Sequence, residues 1–200
     1  MSELAELYEH MAHCEQCALS KTRLKVVPGD GNEKADIFFI GEAPGWHENQ
    51  QGRPFVGPAG QFLDELLASI NLKRAEVYIG NVVKCRPPAN RDPLPVEIEA
   101  CSPFLDRQLE LINPKVVVTL GRFSMARFFP GESISRIHGA PRKRGNVVFF
   151  PMFHPAAALH QPSLRSILEA DMLKLPQIVA KVVSIPEARE QPEIKQLSMF

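Results

Sequence analysis

The chain has 200 residues, 44% of them hydrophobic, enough for one or two globular domains and too many for a wholly disordered chain. Its 23 Lys+Arg balance 23 Asp+Glu, so a coat of basic charge, the simplest signature of a nucleic-acid binder, is excluded. No run approaches the ~20 apolar residues needed to cross a bilayer. The start MSELAELYEHMAHC is acidic and amphipathic, unlike a signal peptide. These features predict a cytoplasmic protein with no membrane partner.

In chain order, apolar runs bounded by turn residues predict four strands. They are Ile37-Phe38-Phe39-Ile40 before Gly41, Val77-Tyr78-Ile79 before Gly80-Asn81, Val116-Val117-Val118 before Leu120-Gly121, and Val147-Val148-Phe149-Phe150 before Pro151. All are short, β-branched or aromatic and not alternating, as in strands buried on both faces. Helical spacing fills the gaps. Phe62, Leu63, Leu66, Leu67 and Ile70 form one stripe over residues 58–70, and residues 96–112 repeat the pattern behind Pro95. A short helix is expected over 121–129 and a fourth over 164–181, interrupted at Pro176. Strands alternating with helices predict a single three-layer α/β/α domain over residues 1–181, with a central, mostly parallel four-stranded sheet. Residues 182–200 turn to Glu, Pro, Gln and Lys and read as a flexible tail.

The neutral total hides a strong asymmetry. Residues 1–112 hold 11 basic and 17 acidic side chains, a net of −6, whereas residues 113–165 hold eight basic and one acidic, a net of +7. That basic third suits a local grip on a polyanion, and equally suits solvated loop and helix faces.

Cys14-Glu15-Gln16-Cys17 is a C-x2-C pair, and Cys85 and Cys101 are a C-x15-C pair. A disulfide framework is disfavoured in a reducing compartment. Four thiolates suit either an all-cysteine zinc site or a [4Fe–4S] cluster, and spacing does not separate the two.

In parallel α/β folds ligands sit beyond the carboxyl ends of the strands. Three polar residues fall there: Glu42 after the first strand, Asn81 after the second and His154 after the fourth. Gly41-Glu42-Ala43-Pro44-Gly45 also permits close backbone approach to a ligand or an anion. A phosphate loop is one reading of such a turn, but no Walker lysine follows it.

Four segments together resemble the family 4, iron–sulfur uracil-DNA glycosylases. They are Gly41-Glu42-Ala43-Pro44-Gly45, Gly52-Arg53-Pro54-Phe55-Val56-Gly57, Asn81-Val82-Val83-Lys84-Cys85-Arg86-Pro87-Pro88 and His154-Pro155-Ala156-Ala157-Ala158-Leu159. The resemblance runs from Cys14 to Lys181 and covers both cysteine pairs. The related family 5 lacks a carboxylate at the position of Glu42, and the basic, histidine-containing insertion of a covalently trapping relative is absent from residues 87–93.

The resemblance implies a monofunctional enzyme that flips uracil out of DNA and hydrolyses its N-glycosidic bond. It assigns Glu42 to the developing sugar cation and the attacking water, and His154 to the anion on uracil O2 beside the Gly41–Gly45 backbone. Phe55 would stack on the base, Asn81 would read its O4/N3–H edge, Ala43 would line the site, and Glu48 matches the loop position that excludes thymine. Leu159 or Leu164 would wedge into the DNA and Arg165 would hold a phosphate. Cys14, Cys17, Cys85 and Cys101 would ligate a [4Fe–4S] cluster. A non-catalytic iron–sulfur DNA-binding module of the same fold is the alternative.

At the chain's end, Gln196-Leu197-Ser198-Met199-Phe200 resembles the peptide by which bacterial repair and replication proteins dock on the sliding clamp. Gln196, Leu197, Met199 and Phe200 would be its contacts. The expected partners are uracil-containing DNA and that clamp, with the chain itself a monomer.

Overall fold

A computed structural model describes residues 2–182 and 185. The expected tail contacts Gln196, Leu197, Met199 and Phe200 lie outside the described residues.

Among the described residues six strands form one sheet: β1 (Asp30–Gly31), β2 (Ile37–Gly41), β3 (Tyr78–Asn81), β4 (Val116–Leu120), β5 (Arg142–Arg144) and β6 (Val147–Met152), in the order β1-β3-β2-β4-β6-β5. The four expected strands are its parallel centre. The two additional strands, β1 and β5, pair antiparallel at the edges. They carry no apolar run, being two and three residues long. The basic run Arg142-Lys143-Arg144 is thus a charged edge strand, a composition that resists pairing with a further chain.

Central strands are covered on both faces, and their side chains divide by twos. Ile37, Phe39, Ile79, Val116, Val118 and Phe150 face one apolar cluster with α3 (Pro58–Ser69), α8 (Ser163–Met172) and α9 (Leu175–Ala180). Phe38, Ile40, Tyr78, Val117 and Phe149 face the other with α1 (Glu3–Ala12), α4 (Pro95–Ile112) and α5 (Arg122–Phe128). This alternation is the pleat of a strand buried on both sides. The expected fourth helix is two helices. Its break falls at Leu173 and Lys174, and Pro176 sits in the first turn of α9, where its missing N–H leaves no bond unmade.

Chain order and sheet order reverse around β2, which has β3 on one side and β4 on the other. In the register Gly41 lies opposite Asn81, and Leu120 opposite Met152. The carboxyl ends therefore bring Glu42, Asn81 and His154 to one edge, at the switch point where such sheets bind ligands. Three short helices lie among the connections: α2 (Trp46–Gln51), α6 (Ile134–Ile137) and α7 (Pro155–His160).

Candidate active site

A cleft of about 920 Å³, open on one side, lies at that edge, and Glu42, Ala43, Glu48, Phe55, Asn81 and His154 all line it. Six of the seven residues expected around the base thus share one cavity. The seventh, Gly41, stands behind the wall. A Cβ on it would lie 2.4 Å from Asn81 Oδ1 and 2.7 Å from the Phe55 ring. Glycine is required there because those two side chains meet across its backbone.

Asn81 ends β3 and is 2% exposed, and its Oδ1 is buried with no hydrogen-bond partner among the described residues. A buried unpaired acceptor costs about 1–3 kcal/mol. Asn81 lines the cleft, and a rotation of its amide would turn this acceptor toward an N–H donor of a ligand there.

His154 caps the N-terminus of α7, its Nδ1 accepting the Ala156 backbone N–H at 3.1 Å. A backbone N–H can only donate, so Nδ1 keeps its lone pair and the neutral ring carries its proton on Nε2. Burial lowers the His154 pKa to about 4, against a smaller opposing pull from Glu48. The imidazole is therefore a neutral donor at physiological pH. Its ring stacks on Phe55 with centroids 5.5 Å apart and an interplanar angle of 23°.

Glu42 is half-buried, and desolvation raises its pKa from 4.5 to about 7. Asp92 adds to the rise and Arg122, ion-paired with Asp92, opposes it. A carboxyl group poised near neutrality in a cleft is a marker of acid–base or electrostatic function.

Glu48 has a structural task besides lining the cleft. Its Oε1 accepts the N–H groups of Val56 and Gly57, both at 2.9 Å, and its Oε2 accepts that of Gly45 at 3.1 Å. One side chain thereby ties the loop after β2 to the loop that carries Phe55.

Cys14, Cys17, Cys85 and Cys101 line a second, largely apolar cavity of about 350 Å³, with Met11, Leu19 and Phe104 among its walls. No cysteine is in a disulfide. Arg23 Nη1 donates to Cys85 Sγ at 3.4 Å and to the Cys14 carbonyl at 2.7 Å, and the Lys84 N–H donates to Cys101 Sγ at 3.3 Å. Among the described residues no group of three or more Cys, His, Asp or Glu closes on a position for a metal ion.

The profile of the "Uracil DNA glycosylase superfamily" matches residues 28–175. The chain is 47% identical over 188 residues to a type-4 uracil-DNA glycosylase of Sulfurisphaera tokodaii, covering 89% of this chain and 86% of that one. It is 46% identical over 190 residues to the type-4 enzyme of Archaeoglobus fulgidus (90% and 96% covered) and 44% identical over 190 residues to that of Saccharolobus solfataricus (90% and 88%). This chain belongs to the uracil-DNA glycosylase superfamily.

Around the glycosylase cleft, the segment after His154 presents Leu159, 48% exposed, at the end of α7, whereas Leu164 packs against the core. Arg165 is already engaged. It pairs with Glu65 at 2.6 Å and Glu169 at 3.0 Å and lies over the Phe62 ring.

Asn90 and Arg91, in the loop after β3, also line this glycosylase cleft, where sequence reasoning did not place them. Ala89 and Asn90 are consecutive left-handed residues, both at φ 53°. Arg86 Nε donates to Asn90 Oδ1 at 2.6 Å, and Arg91 forks onto the buried carboxylate of Glu97 at 2.6 and 2.9 Å. The available signal was Leu94-x-x-Glu97, whose carboxylate also accepts the Leu94 N–H at 2.8 Å and opens α4. No helix among the described residues is long and apolar enough to cross a membrane.

Proposed function

We propose that this chain is a monofunctional uracil-DNA glycosylase of base excision repair, extracting uracil from DNA and hydrolysing its N-glycosidic bond to leave an abasic site. The orphaned Oδ1 of Asn81 carries the reading. Uracil presents an N3–H donor beside the O4 acceptor, which match the amide's oxygen and nitrogen. Cytosine presents the reverse pattern and would leave both sides unpaired. Nothing favours the non-catalytic alternative, which gives the raised pKa of Glu42 no work.

Flipping costs a few kcal/mol of stacking and pairing. Leu159, the exposed leucine of the segment, is the wedge that fills the gap. The flipped base stacks on Phe55, and Ala43 and Glu48 close the cleft around it, Glu48 at the place where a 5-methyl is excluded. As the glycosidic bond lengthens, negative charge grows on uracil O2, where the Nε2–H of His154 and the backbone behind Ala43 can donate. Positive charge grows on the sugar, where ionised Glu42 stabilises it and orients water. Arg165 reaches a phosphate by exchanging Glu65 and Glu169.

The four cysteines line one cavity, and the family 4 resemblance selects a [4Fe–4S] cluster there over a single zinc ion, one thiolate meeting each of four iron corners. Cys14, Cys17, Cys85 and Cys101 would hold it, and it would tie the N-terminal segment to β3 and α4. A cytoplasmic monomer, docked on a sliding clamp through residues 196–200, completes the proposal. Truncation after Lys195 is expected to abolish clamp binding, and unchanged affinity would remove that part.

The test is a single-uracil oligonucleotide incubated with the purified chain, followed by alkaline cleavage of abasic sites. Strand scission at uracil and not at cytosine is expected; an intact strand refutes the activity.

A further inference from the structure

Phe55 is held in place from outside the cleft. Its backbone lies in the left-handed region, at φ 52°, which side-chain-bearing residues rarely adopt. Its carbonyl presses on the first turn of α3, where a Cβ on Gly60 would sit 1.8 Å from the oxygen. A conformation of this kind persists only when its surroundings over-determine it.

Arg74 supplies that constraint. It follows α3 in a short 3-10 turn (Arg74–Glu76), outside the residues lining the cleft. Its Nη1 donates to the Phe55 carbonyl at 2.9 Å and to Asp64 Oδ1 at 3.2 Å, and its Nη2 donates to the Pro54 carbonyl. Its Nε lies 3.7 Å from Asp30 Oδ2, which also pairs with Arg53 at 2.7 Å. The guanidinium thus spans two consecutive carbonyls while the carboxylates of Asp64 and Asp30 pair with it. A planar fork can do this, and the single ammonium of lysine cannot.

We infer that Arg74 is a positioning residue for base excision. By clamping the Pro54 and Phe55 carbonyls it fixes the Phe55 ring as a rigid face for the flipped base and as backing for the His154 imidazole. The inference rests on the glycosylase reading. It adds a residue that touches neither base nor sugar and acts through Phe55 alone.

Single-turnover excision from a uracil oligonucleotide by the wild type, Arg74→Lys, Phe55→Leu and the double variant tests it, with cluster absorbance and melting recorded for each. Displacing a reacting geometry by about 1 Å costs up to ~100-fold. Arg74→Lys is therefore expected to slow the excision step about 10–100-fold, with the affinity for undamaged DNA unchanged. In the Phe55→Leu background the same change should cost under threefold, since the ring it positions is gone. Guanidinium ion added to Arg74→Ala should restore part of the excision rate. If Arg74→Lys melts below the assay temperature, that rescue, measured on folded Arg74→Ala at lower temperature, decides in its place. A wild-type rate in Arg74→Lys, equal losses in both backgrounds, or no rescue overturns the inference alone. A wild type that excises nothing overturns the glycosylase reading and this inference with it.

Discussion

The Nδ1 of His154 accepts the backbone N–H of Ala156 at 3.1 Å, two residues along its own chain. One contact starts α7, fixes the imidazole tautomer and aims the remaining proton away from the helix. Because burial holds the pKa to about 4, the ring stays neutral through the physiological range. Replacing His154 by Ala removes both the donor and the cap. Excision is expected to fall about 10²–10³-fold, with a stability loss of about 1 kcal/mol from the uncapped helix. Single-turnover rates and thermal melts measure the two effects separately.

If Glu42 faces the sugar cation as proposed, the acid limb of activity belongs to it. Its carboxyl titrates near 7 and must be ionised to face a sugar cation. Excision should therefore rise with pH through about 7 and level above it, with no inflection near 6.5 from a titrating histidine. Glu42→Gln should be slow and flat across that window. A limb that survives in Glu42→Gln would assign it elsewhere.

The same carboxyl group opposes folding when ionised. Its folded pKa, about 7, exceeds its ordinary value of 4.5, so stability is lost as pH rises between the two and the loss is complete above 7. Glu42→Gln is expected to stabilise the protein at pH 8 by about 1 kcal/mol, after discounting for solvent screening of a half-exposed group, and to change nothing at pH 4. Denaturant melts at the two pH values check the sign. Activity and stability should move in opposite directions.

Much of this arrangement was legible in the sequence, for a physical reason. Strands buried on both faces must be unbroken apolar runs, so Ile37–Ile40 and Val116–Val118 announce themselves. Glu42 and Asn81, at the carboxyl ends of β2 and β3, stand out against such runs. The edge strands gave no such signal, since Asp30-Gly31 and Arg142-Lys143-Arg144 bury little. The break between α8 and α9 was assigned to Pro176, although a proline in a first turn starts a helix as readily as it ends one. Arg74 was invisible because its acceptors at Pro54 and Phe55 are main-chain carbonyls 19 and 20 residues away, which leave no side-chain motif. The backbone bonds of Glu48 were hidden for the same reason.

Asn81 separates function from folding. Its Oδ1 has no partner among the described residues, so Asn81→Ala breaks no bond seen at that oxygen and relieves a desolvation penalty. Melting is expected to shift by no more than about 1 kcal/mol in either direction. On the proposed reading uracil excision should nevertheless drop about 10²-fold, since the base would lose the amide paired with its N3–H/O4 edge. Competition with cytosine-containing DNA would show the specificity loss directly.

Leu159 should matter only where there is a stack to enter. With 48% of its surface exposed it contributes little to the core, so Leu159→Ala should fold as the wild type does. Excision from duplex DNA is expected to fall about tenfold, while excision from a single strand, whose bases need far less unstacking, stays within about twofold. Arg165→Ala distinguishes a phosphate contact from the ion pairs with Glu65 and Glu169. If Arg165 reaches the backbone, the variant lowers the slope of log affinity against log salt by about one, and ion pairs within the protein leave that slope alone.

The cysteines make the last prediction, because a shared cofactor would couple residues that stand far apart in the chain. Cys85 and Cys101 come from the segment after β3 and from α4, whereas Cys14 and Cys17 follow α1. If all four hold one cluster, Cys14→Ser and Cys101→Ser should each bleach the same brown absorbance and lower the melting temperature by a similar amount, although one follows α1 and the other lies in α4. Each should lose several kcal/mol, the scale on which metal ligation is coupled to folding. Independent thiols predict a different pattern. Buried Cys101 would then tolerate Ser poorly, since a hydroxyl in an apolar wall needs a partner, and half-exposed Cys14 would tolerate it well. The spread between the two melting shifts therefore decides between one shared centre and four separate side chains, and iron analysis of the same samples gives the stoichiometry.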